Sequence, residues 1–311
     1  MARASERVRA RLNALEPANL RFKHARRYQW ARWITLTASW AFIVGIPLLQ
    51  AARLERESAG LFGGRALPVS VGEQVVGAPT SLHVLGIEFI DPLAAAGVAL
   101  SGGASWALAF GALVPIVLVG VFGRFFCSWL CPYATLVAVS NAARALLAKL
   151  GLRPHDAALP KRTNLVVLGG LLIATVLTGS QLALLVYPPA IVGREVWRLV
   201  YFGALGSGAA IIAVLFTFDT FVSRTGTCRY LCPGGAVFTL LGHWSPFTIV
   251  RDSKRCTDCT LCDVVCPMAQ RPMTDNVTSG CDRCARCVAV CPTKALRIQR
   301  SPAHRSVSSK R

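Results

Sequence analysis

Four stretches of this chain contain no lysine or arginine and are long and apolar enough to cross a bilayer: Trp33–Gln50, Ser105–Gly123, Leu165–Tyr187 and Ala204–Val222. A helix needs about 20 apolar residues to span the hydrocarbon core, so most architectures open to a soluble chain are excluded. Apolar residues make up 53% of the 311 and charged ones only 16%, yet the formal net charge is +19. The surplus is unevenly placed. Lys and Arg number nine in 1–32, three in 51–104 (against five acids), six in 124–164, two in 188–203 and fourteen in 223–311. Rich and poor stretches alternate across the apolar segments, which is the positive-inside pattern with both termini cytoplasmic. Topology thus accounts for most of the basic surplus and argues against nucleic-acid binding. The basic lead-in of about 30 residues and the long first apolar core do not fit a cleaved signal peptide. Val8, Leu12 and Leu15 share one helical face among arginines, a pattern suited either to the anionic inner leaflet or to a solvated basic helix. Trp30, Trp33 and Trp40 read as interfacial anchors.

All twelve cysteines fall in stretches assigned to the cytoplasmic side, where thiols stay reduced and serve metals or redox chemistry. Eight lie near the C-terminus. Cys256, Cys259, Cys262 and Cys266 read C-x2-C-x2-C-x3-C-P, and Cys281, Cys284, Cys287 and Cys291 repeat it 25 residues on. In such a run the first three thiolates serve one cubane and the fourth serves the other. Cys256, Cys259, Cys262 and Cys291 therefore read as the ligands of a first [4Fe–4S] cluster. Cys281, Cys284, Cys287 and Cys266 read as those of a second. Zinc sites use two ligand pairs separated by a longer loop, which two uninterrupted runs of four do not fit. The flanks Phe247–Arg251 and Ala295–Gln299 read as strands able to pair and close a ferredoxin module.

The other four cysteines form a second repeat. "GRFFCSWLCP" follows the second apolar segment and "SRTGTCRYLCP" the fourth, with Cys127 and Cys131 matched by Cys228 and Cys232. Residues four apart share a face if the helix continues, and Pro132 or Pro233 then breaks it. Two copies with one orientation imply a pseudo-twofold axis along the membrane normal, which would bring the four thiols together. Three roles remain open for them: a tetrahedral sulfur site for a metal or further redox centre, thiols exchanging electrons or a copper ion, or small apolar side chains at a kink. Asp219, near the inner end of the fourth segment, is a candidate acceptor for a quinol proton, and the preferred reading is an ion pair with Arg224. Asp91 and Pro92 read as N-cap and first helical residue of an upstream extension of the second segment. No histidine lies within an apolar segment, so a bis-histidine membrane haem is not expected, and no C-x-x-C-H or strand-linked G-x-G-x-x-G occurs.

The combination of four spans, "FFCSWLCP", "TFDTFVSRTGTCRYLCPGGA" and the tandem cluster motif resembles the NapH/MauN family of membrane ferredoxin-type proteins over roughly residues 25–300. The resemblance implies a component of a membrane quinol-oxidising chain, directed toward periplasmic nitrate reductase in NapH-like systems and to methylamine utilisation in MauN-like ones. More distant relatives regulate nitrous-oxide respiration or reduce copper during oxidase assembly.

The expected protein is a membrane all-α four-helix bundle of two tandem two-helix repeats, followed by an α+β ferredoxin-like 2[4Fe–4S] module. Its parts are a basic cytoplasmic segment (1–32), a four-span membrane domain (33–246), the ferredoxin domain (247–300) and a disordered tail (301–311). The expected cofactors are two [4Fe–4S] clusters, with quinol and a further metal at the membrane cysteines as candidates. The expected setting is the bacterial cytoplasmic membrane, with lipid, quinone or quinol, and another iron–sulfur or cytochrome protein as partners. The expected function links the quinone pool to a respiratory or dehydrogenase chain. The alternatives are a factor that reduces copper at the membrane cysteines and a redox-sensing membrane regulator. The first cluster loop carries Asp258 and Asp263, whereas the second carries Arg283 and Arg286 beside Asp282. Cations favour the more negative reduced state, so the Cys281/Cys284/Cys287 cluster is expected to have the higher potential. In a redox titration, Arg283→Ala/Arg286→Ala should lower the higher midpoint, and two unchanged midpoints would remove the idea.

Overall fold

The computed structural model describes residues 26–300 apart from 61–81, 85–86, 103–105, 153, 161 and 275–276. The amphipathic pattern expected around Val8–Leu15 and the tail 301–311 lie outside the described residues. The chain is mostly helical. Helix α1 (Arg26–Gly60) precedes a small antiparallel hairpin of β1 (Leu82–Val84) and β2 (Ile87–Phe89). The first half of the repeat is α2 (Pro92–Leu100), α3 (Trp106–Phe122), the short α4 (Phe125–Trp129) and α5 (Tyr133–Lys149). The second half begins after α6 (Thr163–Thr178) and the single turn α7 (Leu182–Leu185). It comprises α8 (Pro188–Phe202), α9 (Ser207–Thr217), two π-turns (Phe218–Val222 and Thr227–Leu231) and α10 (Pro233–Leu241). The C-terminal module runs β3 (Phe247–Arg251), α11 (Leu261–Val265), α12 (Arg286–Val290) and β4 (Leu296–Arg300).

Among the described residues one helix, Tyr28–Leu48, is long and apolar enough to cross a membrane. Three shorter apolar helices fall at Leu108–Phe122, Thr163–Thr178 and Ser207–Val222. The third apolar segment does not run through to Tyr187 as expected. Gly179 adopts φ 65° and caps α6 after Thr178, a left-handed ending that glycine tolerates best. The stretch Pro188–Gly203, expected as an outside loop, is instead helix α8, with Pro188–Gly193 and Glu195 buried. Pro92–Leu100 is likewise a separate helix rather than an extension of α3. Asp91 caps it as expected, accepting from Leu93 N at 2.7 Å. The outer faces of α3, α6 and α9 carry exposed large apolar side chains, among them Phe110, Leu113, Val117, Val166, Ile173 and Val214. A surface so continuously apolar is made for lipid or for another protein.

Two buried polar side chains, Asp219 and Arg144, organise the first π-turn of this bundle. Asp219 is fully buried and accepts from Thr227 N (2.7 Å) and from Tyr133 Oη (2.9 Å). Arg144, also buried, donates to Thr220 O (2.8 Å), a carbonyl of the π-turn, and to His155 O (2.9 Å) in the connection before α6. The expected ion pair of Asp219 with Arg224 does not form: Arg224 turns outward to the ferredoxin module. Its place is taken by neutral donors that need no second buried charge. Removing the carboxylate strands two buried donors. Asp219→Leu should therefore destabilise the protein by about 2 to 4 kcal/mol and Tyr133→Phe by about 1, read as loss of thermal stability in detergent. Equal losses would show that the carboxylate does not hold the turn.

Candidate iron–sulfur site

The two C-terminal motifs fold as copies of one another. Non-glycine residues with left-handed backbone occur in pairs 25 positions apart: Asp258 and Arg283 (φ 49° and 52°), Thr260 and Ala285 (60° and 56°), Ala269 and Lys294 (47° and 53°). Such conformations cost on the order of 1 kcal/mol or more each and persist where the surroundings demand them. Here they curl each loop so that its first three cysteines surround one point. Cys266 Sγ accepts from Gln270 N and Cys291 Sγ from Ala295 N, both at 3.3 Å. β3 and β4 pair antiparallel from Phe247–Arg300 to Arg251–Leu296 and close the module as expected.

Two cavities lie inside. One is lined by Cys256, Cys259, Cys262 and Cys291. The other is lined by Cys266, Cys281, Cys284 and Cys287. Each gathers three cysteines of one motif and the last of the other, which fits a cubane in each. No three His, Cys, Asp or Glu side chains among the described residues converge on a single ion. Burial pushes the Cys266 thiol up to about 11 and Cys281 up to about 12, so loading iron must displace their protons.

The Cys-x3-Cys-Pro repeats are also copies, but not of a continuous helix. Cys131 N donates to Phe126 O (2.9 Å) and Cys232 N to Thr227 O (2.8 Å), the five-residue closure of a π-turn. The second cysteine of each pair therefore leaves the helix just before the proline, and the shared-face expectation is replaced by this tighter turn. Cys127, Cys131 and Cys228 pack in one apolar cluster. Cys232 belongs to the adjoining apolar cluster, and Val237 packs against both. Arg124, in the residues just before Cys127, is buried and donates to Cys228 O at 3.0 Å and to Thr239 Oγ1 at 3.2 Å, tying the first copy to the second. The N-caps of α2 and α8 meet beside the same thiols, where Tyr187 Oη donates to Asp91 Oδ2 at 2.9 Å. Leu93, Tyr187 and Cys232 share a second apolar cluster. Gly234 is required there, because a Cβ would overlap the Tyr187 ring.

Arginines running in opposite directions dock the module. Arg224 donates to Val264 O (2.9 Å) and Val265 O (3.3 Å) at the end of α11. Arg283 lies against Gly123, at the end of α3, and donates twice to Phe247 O (3.0 and 2.9 Å). Trp129 Nε1 reaches Arg283 O (3.3 Å), and Arg32 Nε holds Ser128 O (2.9 Å). The second motif thus faces the helices, with Cys284 and Cys287 buried, while Cys259 of the first is exposed. Sequence reasoning missed Arg124, Arg32, Tyr133 and Tyr187. For Arg124 a signal existed, since it directly precedes the first Cys-x3-Cys-Pro.

A family described as "4Fe-4S binding domain" matches residues 104–151 and 202–251, which are the two Cys-x3-Cys-Pro copies. The chain is 33% identical to the ferredoxin-type protein NapH of Escherichia coli, over 60% of this chain and 66% of that protein. It is 37% identical to the methylamine utilization ferredoxin-type protein MauN of Paracoccus denitrificans, over 60% and 63%. It is 32% identical to NapH of Haemophilus influenzae, over 60% and 67%. The chain therefore spans just under two thirds of the first two relatives. No solved structure matches.

Gly123 has φ 63°, and a Cβ there would overlap the Arg283 guanidinium. Gly123→Ala should cost about 1 to 2 kcal/mol for its backbone alone and loosen the module. Hydrogen exchange at 247–251 and 281–284 should then rise several-fold. Gly45→Ala, where a Cβ meets nothing within 4 Å, should leave exchange at those positions unchanged, and equal behaviour of the two variants would refute the docking role.

Proposed function

Because the chain belongs to the NapH/MauN ferredoxin-type proteins, we propose that it is a membrane-bound iron–sulfur electron-transfer protein. It would link the quinone pool to a respiratory or dehydrogenase chain of the nitrate-reductase or methylamine-utilisation type. The observation that carries the reading is the pair of cavities, each lined by four cysteines drawn from both motifs. When bound, the two clusters supply one-electron acceptors at separated potentials. The chain's own residues set the geometry. The Cys256/Cys259/Cys262/Cys291 set lies at the exposed end of the module, where a soluble redox partner can dock. The Cys281/Cys284/Cys287/Cys266 set lies against the helices. The apolar faces of α1, α3, α6 and α9 belong in the cytoplasmic membrane as four spans, with the module and both termini on the basic side. Asp219, whose oxygens are engaged by Tyr133 and Thr227, serves this arrangement by latching the π-turn.

The four thiols at Cys127, Cys131, Cys228 and Cys232 are assigned to a further iron–sulfur centre. The match of a 4Fe-4S binding family to these two segments supports this. Arg124 supports it as well. A buried cation among thiolates suits an anionic cluster and repels a bare copper ion, which weighs against the copper-handling alternative.

Anaerobically purified protein should contain about eight irons for two cubanes and up to about twelve with the junction filled. Cys127→Ala/Cys232→Ala should remove only the third increment, leaving the EPR signals of the other two intact. Quinol should reduce those clusters in proteoliposomes. An iron content near four would sink the two-cluster reading, and full loading without reduction by quinol would sink the link to the quinone pool.

A further inference from the structure

We propose that the large cavity between the helices and the ferredoxin module is the quinol site. The inference rests on the quinone-pool reading above and adds the place and the residues. The cavity has a volume of about 970 Å³, at the upper end of small-molecule sites and sufficient for a ring with part of a polyprenyl tail. Its lining is mixed. Leu165, Leu240 and Trp244 are exposed, at 39%, 52% and 73%, and offer apolar surface to a lipophilic tail. Arg124, His243 and Gln270 add polar groups to the same wall.

Two observations favour a redox-active, electron-rich ring as the occupant. The wall touches both groups of cysteines. Gln270 donates its backbone N–H to Cys266 Sγ at 3.3 Å, and Arg124 donates to Cys228 O at 3.0 Å, so a molecule held here is one residue from each. The wall holds three arginines, Arg124, Arg229 and Arg271, and no carboxylate, which favours a hydroquinone losing protons.

The reaction balances as follows. Both O–H bonds of the hydroquinone break. Two protons leave by way of His243 and water at the mouth. Two electrons leave singly to one-electron iron–sulfur acceptors, which are reduced as the quinol becomes quinone.

The test uses the full-length, cluster-loaded protein in liposomes with an azido-ubiquinone photolabel. Label is expected on peptides spanning 239–244 and 268–280, displaced by excess unlabelled quinone and accompanied by quenching of tryptophan fluorescence. Ser279→Trp, placed in the cavity wall, should weaken quenching at least tenfold while iron content and dithionite-reduced EPR signals stay as in the parent. If this variant loses iron, Leu165→Trp in the same wall replaces it, with the same expectation. Label confined to other helices overturns the site, as does undiminished binding in a folded variant. Displacement by an anionic phospholipid but not by quinone identifies a lipid pocket and also overturns it. A parent protein that binds quinone nowhere fails earlier, and sinks the quinone-pool reading itself.

Discussion

The Arg283 guanidinium lies against Gly123, where the absence of a Cβ leaves room for it. Its two hydrogen bonds to Phe247 O tie the second cluster loop to the first residue of β3. From this contact follows the orientation of everything beyond the helices. With Arg283 placed there, Trp129 reaches its carbonyl, the Cys281/Cys284/Cys287 loop lies on the repeat, and the remaining loop is turned to solvent. Arg224 acts from the other half of the repeat, at the position 101 residues after Gly123, by capping the last turn of α11. One half offers a gap and the other an arginine, so the pseudo-symmetric bundle holds an internally symmetric module in a single orientation. Arg283 also ceases to be a solvated surface charge: it is 8% exposed, and its field acts on the adjacent cluster pocket with little screening.

Inside the helices the governing constraint is different. An apolar surround makes every unpaired backbone group expensive, yet the Cys-x3-Cys-Pro turns break the helical ladder twice. The freed carbonyls are covered from outside each turn. Arg32 and Ser39 of α1 take Ser128 O and Leu130 O, Arg124 takes Cys228 O, and Arg144 takes Thr220 O. Two of the buried carboxylates, Asp91 and Asp219, each receive one tyrosine hydroxyl and one backbone N–H. Asp91 thereby caps α2, and Asp219 ties the π-turn at Phe218–Val222 to the start of the second Cys-x3-Cys-Pro turn at Thr227.

Much of this was legible in the sequence where the signal is local. The tandem motifs specify which four cysteines gather, the flanking alternating strands pair as expected, and Asp91-Pro92 starts a helix. Features that depend on distant partners were not legible. Arg224 is five residues from Asp219 and was expected to pair with it, but the carbonyls of Val264 and Val265 compete for it successfully. Hydropathy measures the length of an apolar run and is blind to a break such as Gly179. It also treated Pro188–Phe202, with Arg194 and Arg198, as loop, although its first turns are buried beside Tyr133 and Cys131.

The asymmetry of the module has a consequence for direction. An exposed Cys259 loop and a buried Cys284 loop cannot serve the same partner: the first is open to a protein approaching from solvent, the second only to groups within the helices. The cavity bounded by Gln270 and Arg124 lies on the buried side. On the reading proposed above, a small molecule exchanging electrons there lies one residue from Cys266, through Gln270, and one residue from Cys228, through Arg124, while Cys259 faces solvent on the other loop.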